Sequence, residues 1–291
     1  MKERKGIILA GGTGSRLYPI TKSISKQLLP IFDKPMICYP LSTLMEANIR
    51  KILIISNEEY LPFFKRLLGN GNHLGIELEY LVQDKPYGIA HSYILGSEFV
   101  KDSPSVLILG DNLFYGENLN EKLIKSNLNL ERSTIFTYKV KNPERYGVVS
   151  YDSEFKAIKI DEKPQYPKSN YAITGLYFYD ENAVEMAKIL VPSKRGELEI
   201  TDLNNMYIEK NLLDVEEIGA GSAWFDTGTF ESLHEASSYV RTMQNRQSFK
   251  IGCPEEIAWR KKWIKDEDLH KIAIPLLKSG YGNYLIDLLN Q

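Results

Sequence analysis

The stretch that decides the fold is Ile7-Ile-Leu-Ala-Gly-Gly-Thr-Gly-Ser-Arg-Leu-Tyr-Pro19, a short apolar run that leads directly into three glycines within four positions. Glycine lets the backbone adopt positive φ and approach a ligand closely, and successive N–H groups can form a nest for an anion. Two familiar phosphate-binding patterns are not met. Gly14 is followed by Ser15-Arg16 where a P-loop has Lys and Ser or Thr, and Leu17 stands where a dinucleotide fingerprint has its third glycine. A tight turn with solvent-facing cations remains an alternative explanation of the loop.

Outward from this loop, apolar runs of strand length alternate with segments of helical spacing over the first half of the chain. Such βαβ alternation predicts an α/β fold with a Rossmann-like, mostly parallel sheet and helices on both faces. The predicted strands are Gly6–Ala10, Ile52–Ile55, Glu77–Val82 and Val106–Leu109, and the predicted helices are Tyr39–Asn48, Glu59–Leu68 and Ile89–Val100.

The pattern changes after about residue 130, where closely spaced strands favour antiparallel pairing. We expect one α/β domain over residues 1–228, with a first part to about 130 and a second over 131–228, followed by a helical extension over 229–291. The second part contains predicted strands at Ser133–Val140, Gly147–Tyr151, Ala157–Ile160 and Ala172–Tyr179, predicted helices at Glu181–Leu190 and Asp202–Lys210, and a strand pair at Leu213–Ile218 and Ala223–Asp226. The extension has a break near Gly252-Cys-Pro254.

Composition and charge exclude several classes of protein. The 291 residues carry 36 basic and 38 acidic side chains, which argues against a nucleic-acid binder that relies on overall positive charge. Cys38 and Cys253 are the only cysteines, so a disulfide scaffold and a cysteine-rich zinc site are excluded and a reducing cytoplasm is expected. The apolar run after Lys5 is too short for a signal peptide, and no run of about 20 apolar residues predicts a membrane span.

Two cations and two aspartates are the candidate functional groups. Arg16 can make bidentate contacts to phosphate oxygens, and Lys26 supplies a mobile point charge, so the loop suits a nucleoside triphosphate. Asp111 and Asp226 each follow a short apolar strand, and ligands of open α/β sheets lie beyond the carboxyl ends of strands. Two such carboxylates together with substrate phosphates suit Mg²⁺. Taken singly, each aspartate could also be a turn or helix-capping residue.

Several further motifs resemble the sugar-nucleotidyltransferase family, and within it the branch that uses dTTP. The match covers nearly the whole chain, including its tail. The motifs are Leu9-Ala-Gly-Gly-Thr-Gly-Ser-Arg-Leu17, Ser25-Lys-Gln-Leu-Leu-Pro30, Asp33-Lys-Pro-Met36, Pro143-Glu-Arg-Tyr-Gly-Val-Val149, Glu162-Lys-Pro164, Arg195-Gly-Glu-Leu-Glu-Ile-Thr-Asp202 and Cys253-Pro-Glu-Glu-Ile-Ala258. One departure is that residue 13 is Thr where the family more often has Ser, and residue 15 is Ser where it more often has Thr. All of these residues carry hydroxyls, so contact with phosphate is not affected.

The resemblance implies that dTTP and glucose 1-phosphate react to dTDP-glucose and pyrophosphate with Mg²⁺ as cofactor. The sugar phosphate is then the nucleophile, so no protein nucleophile is needed. The implied catalytic residues are Arg16, Lys26 and Lys163, and the implied metal ligands are Asp111 and Asp226. Nucleotide binding is expected from Leu9, Gly11, Gly14, Ser15, Arg16, Lys26, Gln83 and Gly88 in the first part of the domain, and sugar-phosphate binding from Asn112, Tyr146, Gly147, Glu162, Lys163, Ile173 and Tyr177, mostly in the second.

The resemblance also implies a homotetramer with a second, regulatory nucleotide site near the C-terminal helices, which would make residues 229–291 an assembly region. Gln83 can pair with N3–H and O4 of thymine, but uracil presents the same groups, so the preference for dTTP over UTP stays open. A pyrophosphorylase for UTP or another sugar phosphate, and a catalytically inactive nucleotide sensor on the same fold, are the alternatives.

Overall fold

The computed structural model describes residues 2–290, which form thirteen strands and eleven α-helices. The strands are β1 (Lys5–Leu9), β2 (Pro30–Ile31), β3 (Lys34–Pro35), β4 (Lys51–Ser56), β5 (Glu77–Val82), β6 (Ser105–Leu109), β7 (Asn112–Tyr115), β8 (Ser133–Lys139), β9 (Gly147–Tyr151), β10 (Ala157–Glu162), β11 (Tyr171–Tyr179), β12 (Leu213–Glu217) and β13 (Ala223–Asp226). The helices are α1 (Cys38–Glu46), α2 (Leu61–Leu68), α3 (His91–Leu95), α4 (Ser97–Val100), α5 (Leu119–Leu128), α6 (Ala183–Lys188), α7 (Ile200–Glu209), α8 (Phe230–Gln247), α9 (Pro254–Arg260), α10 (Asp266–Ala273) and α11 (Tyr281–Leu289).

A nine-stranded sheet forms the centre of the molecule. Its order is β10-β9-β11-β6-β1-β4-β5, with β8 also paired to β11 and β12 paired to β8. Strands β6, β1, β4 and β5 run parallel, whereas β11 is antiparallel to β6, β8 and β9. The predicted parallel first half and antiparallel second half are therefore confirmed.

Helices cover both faces of this sheet, and alternate residues of the central strands face two separate cores. Ile8 of β1 and Ile54 of β4 belong to one core, and Ile7 and Leu53 belong to the other. Apolar residues of α9, α10 and α11 pack into the core that contains Ile8. None of the helices in residues 2–290 is both long and apolar enough to cross a membrane.

Two expectations from the sequence were wrong. The helix predicted over Ile89–Val100 is broken at Gly96 into α3 and α4, and a Cβ at Gly96 would lie only 3.1 Å from Leu53 Cδ2 and from the Ser92 carbonyl oxygen. The predicted strands near residues 213–226 exist but do not pair with each other. Instead, β12 joins β8 in parallel and β13 pairs antiparallel with β7 in a separate small sheet.

That second departure matters for function because it sets the position of Asp226. The β7–β13 pairing places Asp226 opposite Asn112, the residue that follows Asp111. Two segments more than a hundred residues apart are thereby joined at the carboxyl end of β6.

Candidate active site

The glycine loop lines a cavity of about 230 Å³ at the carboxyl end of β1. Gly12 and Gly14 have φ of 113° and 60°, so the turn uses the backbone freedom that only glycine has without strain. Arg16 and Lys26 add positive charge to this cavity. Its lining residues are Gly11, Gly12, Thr13, Gly14, Ser15, Arg16, Lys26, Gln27, Asp111 and Gly228. The loop residues expected to bind nucleotide therefore lie together, with Leu9 at the end of the strand before them.

Of the two predicted base-binding residues, Gln83 lies beside Gly11 of this cavity, and Gly88 lies against Leu198. Gln83 follows β5 and is 3% exposed. A Cβ at Gly11 would lie 2.0 Å from Gln83 Oε1. Gly88 has φ of 101°, and a Cβ there would lie 2.4 Å from the carbonyl oxygen of Leu198. The lack of a side chain at Gly11 therefore leaves room for Gln83, and the lack of one at Gly88 leaves room for the backbone of Leu198.

A second cavity, of about 220 Å³, lies beside the first. All seven residues expected to bind sugar phosphate line it: Asn112, Tyr146, Gly147, Glu162, Lys163, Ile173 and Tyr177. Glu162 accepts a hydrogen bond of 2.7 Å from Thr201 Oγ1 and lies 3.6 Å from Lys163 Nζ. Lys163 itself has φ of 43°, a left-handed conformation that costs a non-glycine residue free energy.

Arg16 and Asp111 line both cavities, so the two spaces meet at these side chains. Asp226 lies in the second cavity at the same junction. A Cβ at Gly228 would be 3.0 Å from Arg16 Nη2 and 3.1 Å from Asp226 Oδ1, which brings the guanidinium and this carboxylate close together. Two ligands bound in the two cavities would therefore be in contact around the aspartates and Arg16.

Asp111 is held from several directions. Lys26 Nζ donates to its Oδ2, and Asn112 Nδ2 donates to its Oδ1 over 2.9 Å. The backbone N–H and the hydroxyl of Thr227 both donate to the Asp111 carbonyl oxygen, over 3.1 and 2.7 Å. The segment that carries Asp226 is thus fixed to the segment that carries Asp111.

The two carboxylates have opposite pKa shifts. Burial favours a raised pKa for Asp111, but the Lys26 charge and the hydrogen bonds from Lys26 and Asn112 outweigh it and hold that pKa below its ordinary value. Burial, followed by the negative charge of Asp111, raises the pKa of Asp226 despite the opposing charges of Lys26 and Arg16. A divalent cation between the two carboxylates would relieve both effects on Asp226.

The residues at the junction fit a divalent metal ion that is shared with phosphates. Carboxylate oxygens are hard ligands of the kind that Mg²⁺ takes, and one or two carboxylates with substrate phosphates and water are its common ligand set. Within residues 2–290 there is no cluster of three or more histidine, cysteine, aspartate or glutamate side chains suited to a metal. Substrate phosphates and water would complete the coordination of a metal ion held by Asp111 and Asp226.

Sequence reasoning missed four side chains around the second cavity. Arg145 and Trp224 line it, as does Thr201, which holds Glu162. Arg195 donates to both carboxylate oxygens of Glu199 over 2.8 and 2.9 Å and to Glu162 over 3.3 Å. Arg145, Arg195 and Thr201 stand within the quoted motifs, so the charged and hydroxyl side chains of those motifs were the available signal.

Comparison with known proteins agrees with this geometry. The family model described as Nucleotidyl transferase matches residues 5–243. A glucose-1-phosphate thymidylyltransferase of Neisseria meningitidis is 55% identical over 99% of this chain and 100% of its own length. The enzyme of the same name from Mycobacterium tuberculosis is 51% identical over 99% of both chains.

Solved structures extend the comparison to the fold. A crystal structure of a Bacillus anthracis protein described as a glucose-1-phosphate thymidylyltransferase is 42% identical, with a TM-score of 0.76 over 82% of this chain and 95% of that one. A UDP-glucose pyrophosphorylase complexed with UDP-glucose, at 23% identity and a TM-score of 0.73 over 83% of this chain and 99% of that one, shares the fold. With a family model over most of the chain and full-length relatives above 50% identity, the chain belongs to the nucleotidyl transferase family, in its glucose-1-phosphate thymidylyltransferase branch.

Proposed function

We propose that the protein makes dTDP-glucose and pyrophosphate from dTTP and α-D-glucose 1-phosphate, with Mg²⁺ as its metal ion. The observation that carries the proposal is the junction of the two cavities. A glycine loop with Arg16 and Lys26 lines one cavity, and polar side chains that can form hydrogen bonds with a sugar line the other. Arg16 and Asp111 line both cavities. The names of the full-length relatives support the choice of thymidine nucleotide and glucose.

In this reaction an oxygen of the sugar phosphate attacks the α-phosphorus of dTTP. A new phosphorus–oxygen bond forms, the bond to the β-phosphate oxygen breaks, and pyrophosphate departs with the bonding electrons. The protein has to bring two anions into contact and offset the charge that grows on the leaving group. Positioning and preorganised positive charge are the established means.

Each cation has a proposed place in that scheme. Arg16, at the junction, offsets charge on the triphosphate and on the departing pyrophosphate. Lys26 holds Asp111 in its ionised form and adds charge to the nucleotide cavity. Lys163 holds the phosphate of the sugar from the opposite side, next to Glu162, which can accept hydrogen bonds from sugar hydroxyls. A Mg²⁺ ion bound by Asp111 and Asp226 would neutralise phosphate charge and orient the reacting groups.

Gln83, which lies beside Gly11, and Gly88 would bind the base. The amide offers one acceptor and two donors, which complement N3–H and O4 of thymine. A methyl group in an apolar pocket is worth only about 1–3 kcal/mol, so we expect measurable turnover of UTP.

The test is a pyrophosphate-release assay with four nucleotides and several sugar 1-phosphates, ranked by kcat/KM. The proposal requires dTTP with glucose 1-phosphate to rank first and activity to disappear when EDTA removes the metal. A higher rank for UTP would identify a uridylyltransferase instead. Nucleotide binding without turnover of any pair would identify a nucleotide sensor.

We further propose a cytoplasmic homotetramer, in which residues 229–291 serve assembly and regulation. The family model stops at residue 243, before most of this extension. A separate cavity of about 260 Å³ between α1 and α9 includes Tyr115, Lys250, Glu256 and Arg260 in its lining, and we propose it as the site of the second nucleotide. Cys38 and Cys253 are free and buried, which suits a reducing compartment. Light scattering and nucleotide titration of an active-site variant would test assembly and regulation.

A further inference from the structure

Asn112 is almost fully buried at the junction, with 2% of its surface exposed. It is the first residue of β7, directly after Asp111 and opposite Asp226 in β13. The residue was expected from the sequence to contact sugar phosphate, and it does line the second cavity. The hydrogen bonds of its side chain are made to Asp111, Gly175 and Trp224.

The acceptor of the Asn112 amide is already fully used. Its Oδ1 accepts from the indole Nε1 of Trp224 over 2.7 Å and from the backbone N–H of Gly175 over 3.1 Å. An amide oxygen has two lone pairs, so no acceptor is left for a sugar hydroxyl. These two bonds connect β7 with β13 and β11.

The same two bonds fix which way the amide faces. With Oδ1 held by two donors, Nδ2 must lie on the opposite side, where it donates to Asp111 Oδ1 over 2.9 Å. Lys26 holds the other oxygen, Oδ2. The carboxylate of Asp111 therefore has one defined orientation, set by Asn112 on one oxygen and by Lys26 on the other.

We propose that Asn112 is a positioning residue that orients the Asp111 carboxylate for the metal ion, in addition to lining the sugar cavity. The inference rests on the proposed function, since it takes Asp111 as a metal ligand. Groups that hydrogen-bond to a ligating carboxylate fix its orientation, and their loss typically costs about 10- to 100-fold in metal affinity or activity.

Asn112→Ala removes the donor to Asp111, and Trp224→Phe is its matched control. Phenylalanine keeps an aromatic ring but removes the indole N–H. The backbone N–H of Gly175 still holds Oδ1, so the amide keeps its orientation and its bond to Asp111. Mn²⁺ binding in the presence of dTTP is measured by electron paramagnetic resonance of the free ion, without glucose 1-phosphate and hence without turnover. Circular dichroism and thermal melting check that each variant folds.

The expected result is a Kd for Mn²⁺ about 10-fold higher in Asn112→Ala, and within about twofold of wild type in Trp224→Phe. The KM for glucose 1-phosphate at saturating Mn²⁺ should rise less than twofold in Asn112→Ala, while kcat falls. Equal effects of the two variants on Mn²⁺ would show that Asn112 only supports the fold and would overturn the proposal. Unchanged Mn²⁺ affinity with a raised KM for glucose 1-phosphate would overturn it too.

Asn112→Asp serves if the alanine variant does not fold, because it keeps the acceptor for Trp224 and Gly175 and, once ionised, replaces the donor by a carboxylate that repels Asp111. We expect its kcat at saturating Mn²⁺ to fall at least about 10-fold and to fall further as the pH rises and the new carboxyl ionises, and wild-type kcat across the pH range would overturn the proposal. Wild type and Asp111→Asn separate this outcome from failure of the proposed function. If wild type turns over dTTP and needs Asp111 to bind Mn²⁺, the function stands whatever Asn112 does. If Asp111→Asn binds Mn²⁺ as wild type does, the metal site and the role of Asn112 fail together.

Discussion

Gly11→Ala is expected to weaken nucleotide binding without unfolding the protein. A Cβ at Gly11 would lie 2.0 Å from Gln83 Oε1 and 3.1 Å from Gln83 Cδ, far inside contact distance. Gly11 is not among the residues with positive φ, so alanine can adopt its backbone conformation. The atom in the way is the end of a flexible side chain, which can rotate away. The substitution therefore displaces the amide that we assign to the base and little else.

The magnitude follows from the hydrogen bonds that the displaced amide would make to thymine. Two neutral hydrogen bonds contribute about 0.5–1.5 kcal/mol each, so their loss should raise the KM for dTTP by roughly 5- to 150-fold. The KM for glucose 1-phosphate should stay within about twofold, because Gly11 does not line the second cavity. Gly219→Ala is the matched control, since no atom lies within 4 Å of its Cβ and its φ is not positive.

A double-mutant cycle with Gln83→Ala makes the test decisive. Once Gln83 is alanine, the Cβ at position 11 has nothing to displace, so Gly11→Ala should add little to the loss already caused by Gln83→Ala. Steady-state kinetics with dTTP on the four proteins measures the coupling. If the two substitutions add, the new methyl acts elsewhere, for example by blocking the phosphate cavity, and the assignment of Gln83 to the base loses its structural support.

Three further substitutions test the rest of the site and the C-terminal contacts. Asp226→Asn should lower kcat by more than about 100-fold with an unchanged circular dichroism spectrum, because loss of a ligand should cost at least as much as loss of a group behind it; near-wild-type turnover would remove it from the metal site. Lys163→Ala should raise the KM for glucose 1-phosphate about 10- to 150-fold, the value of a charged hydrogen bond, and should affect dTTP less; equal losses would contradict its role. Asp33 is half-buried, yet its ion pairs with Lys34 (2.6 Å) and Lys250 (2.5 Å) hold its pKa below the ordinary value. The stability that ionised Asp33 contributes is therefore complete above about pH 4 and is lost as the pH falls through its folded-state pKa. Asp33→Asn should lower the melting temperature at pH 7 and reduce the decline of the melting temperature in acid. An unchanged acid profile would refute the contribution of Asp33 to acid denaturation.

Local patterns predicted the parallel half of the sheet because buried strands leave a strong signature. Runs such as Ile52–Ile55 are apolar without alternation, as expected for strands covered on both faces, and their residues do face two cores. The break at Gly96 could have been anticipated from the glycine, although its tight contact with Leu53 could not. Pairing partners were harder to predict. The five residues between β12 and β13 suggested that the two strands pair with each other, and only tertiary packing sends them to different sheets.

In the candidate site, too, the types of residue could be predicted from the sequence, but their surroundings could not. Glycines, cations and aspartates could be chosen because phosphate chemistry needs those residue types at strand ends. Hydrogen bonds between distant segments could not be read from spacing. Thr201 behind Glu162 and Trp224 behind Asn112 come from segments that reach the site only through the fold.

The two aspartates show most clearly what the fold adds to the sequence. As letters they are equivalent, each following a short apolar strand. In the structure Asp111 has Lys26 and Asn112 as partners, so its pKa is lowered and it stays ionised without help. Asp226 faces that fixed negative charge, and its pKa is raised. A divalent cation would therefore act mainly on Asp226, by favouring its ionised form beside Asp111. Metal binding should then release protons around the raised pKa of Asp226, and the affinity for the metal should fall as the pH falls through that pKa.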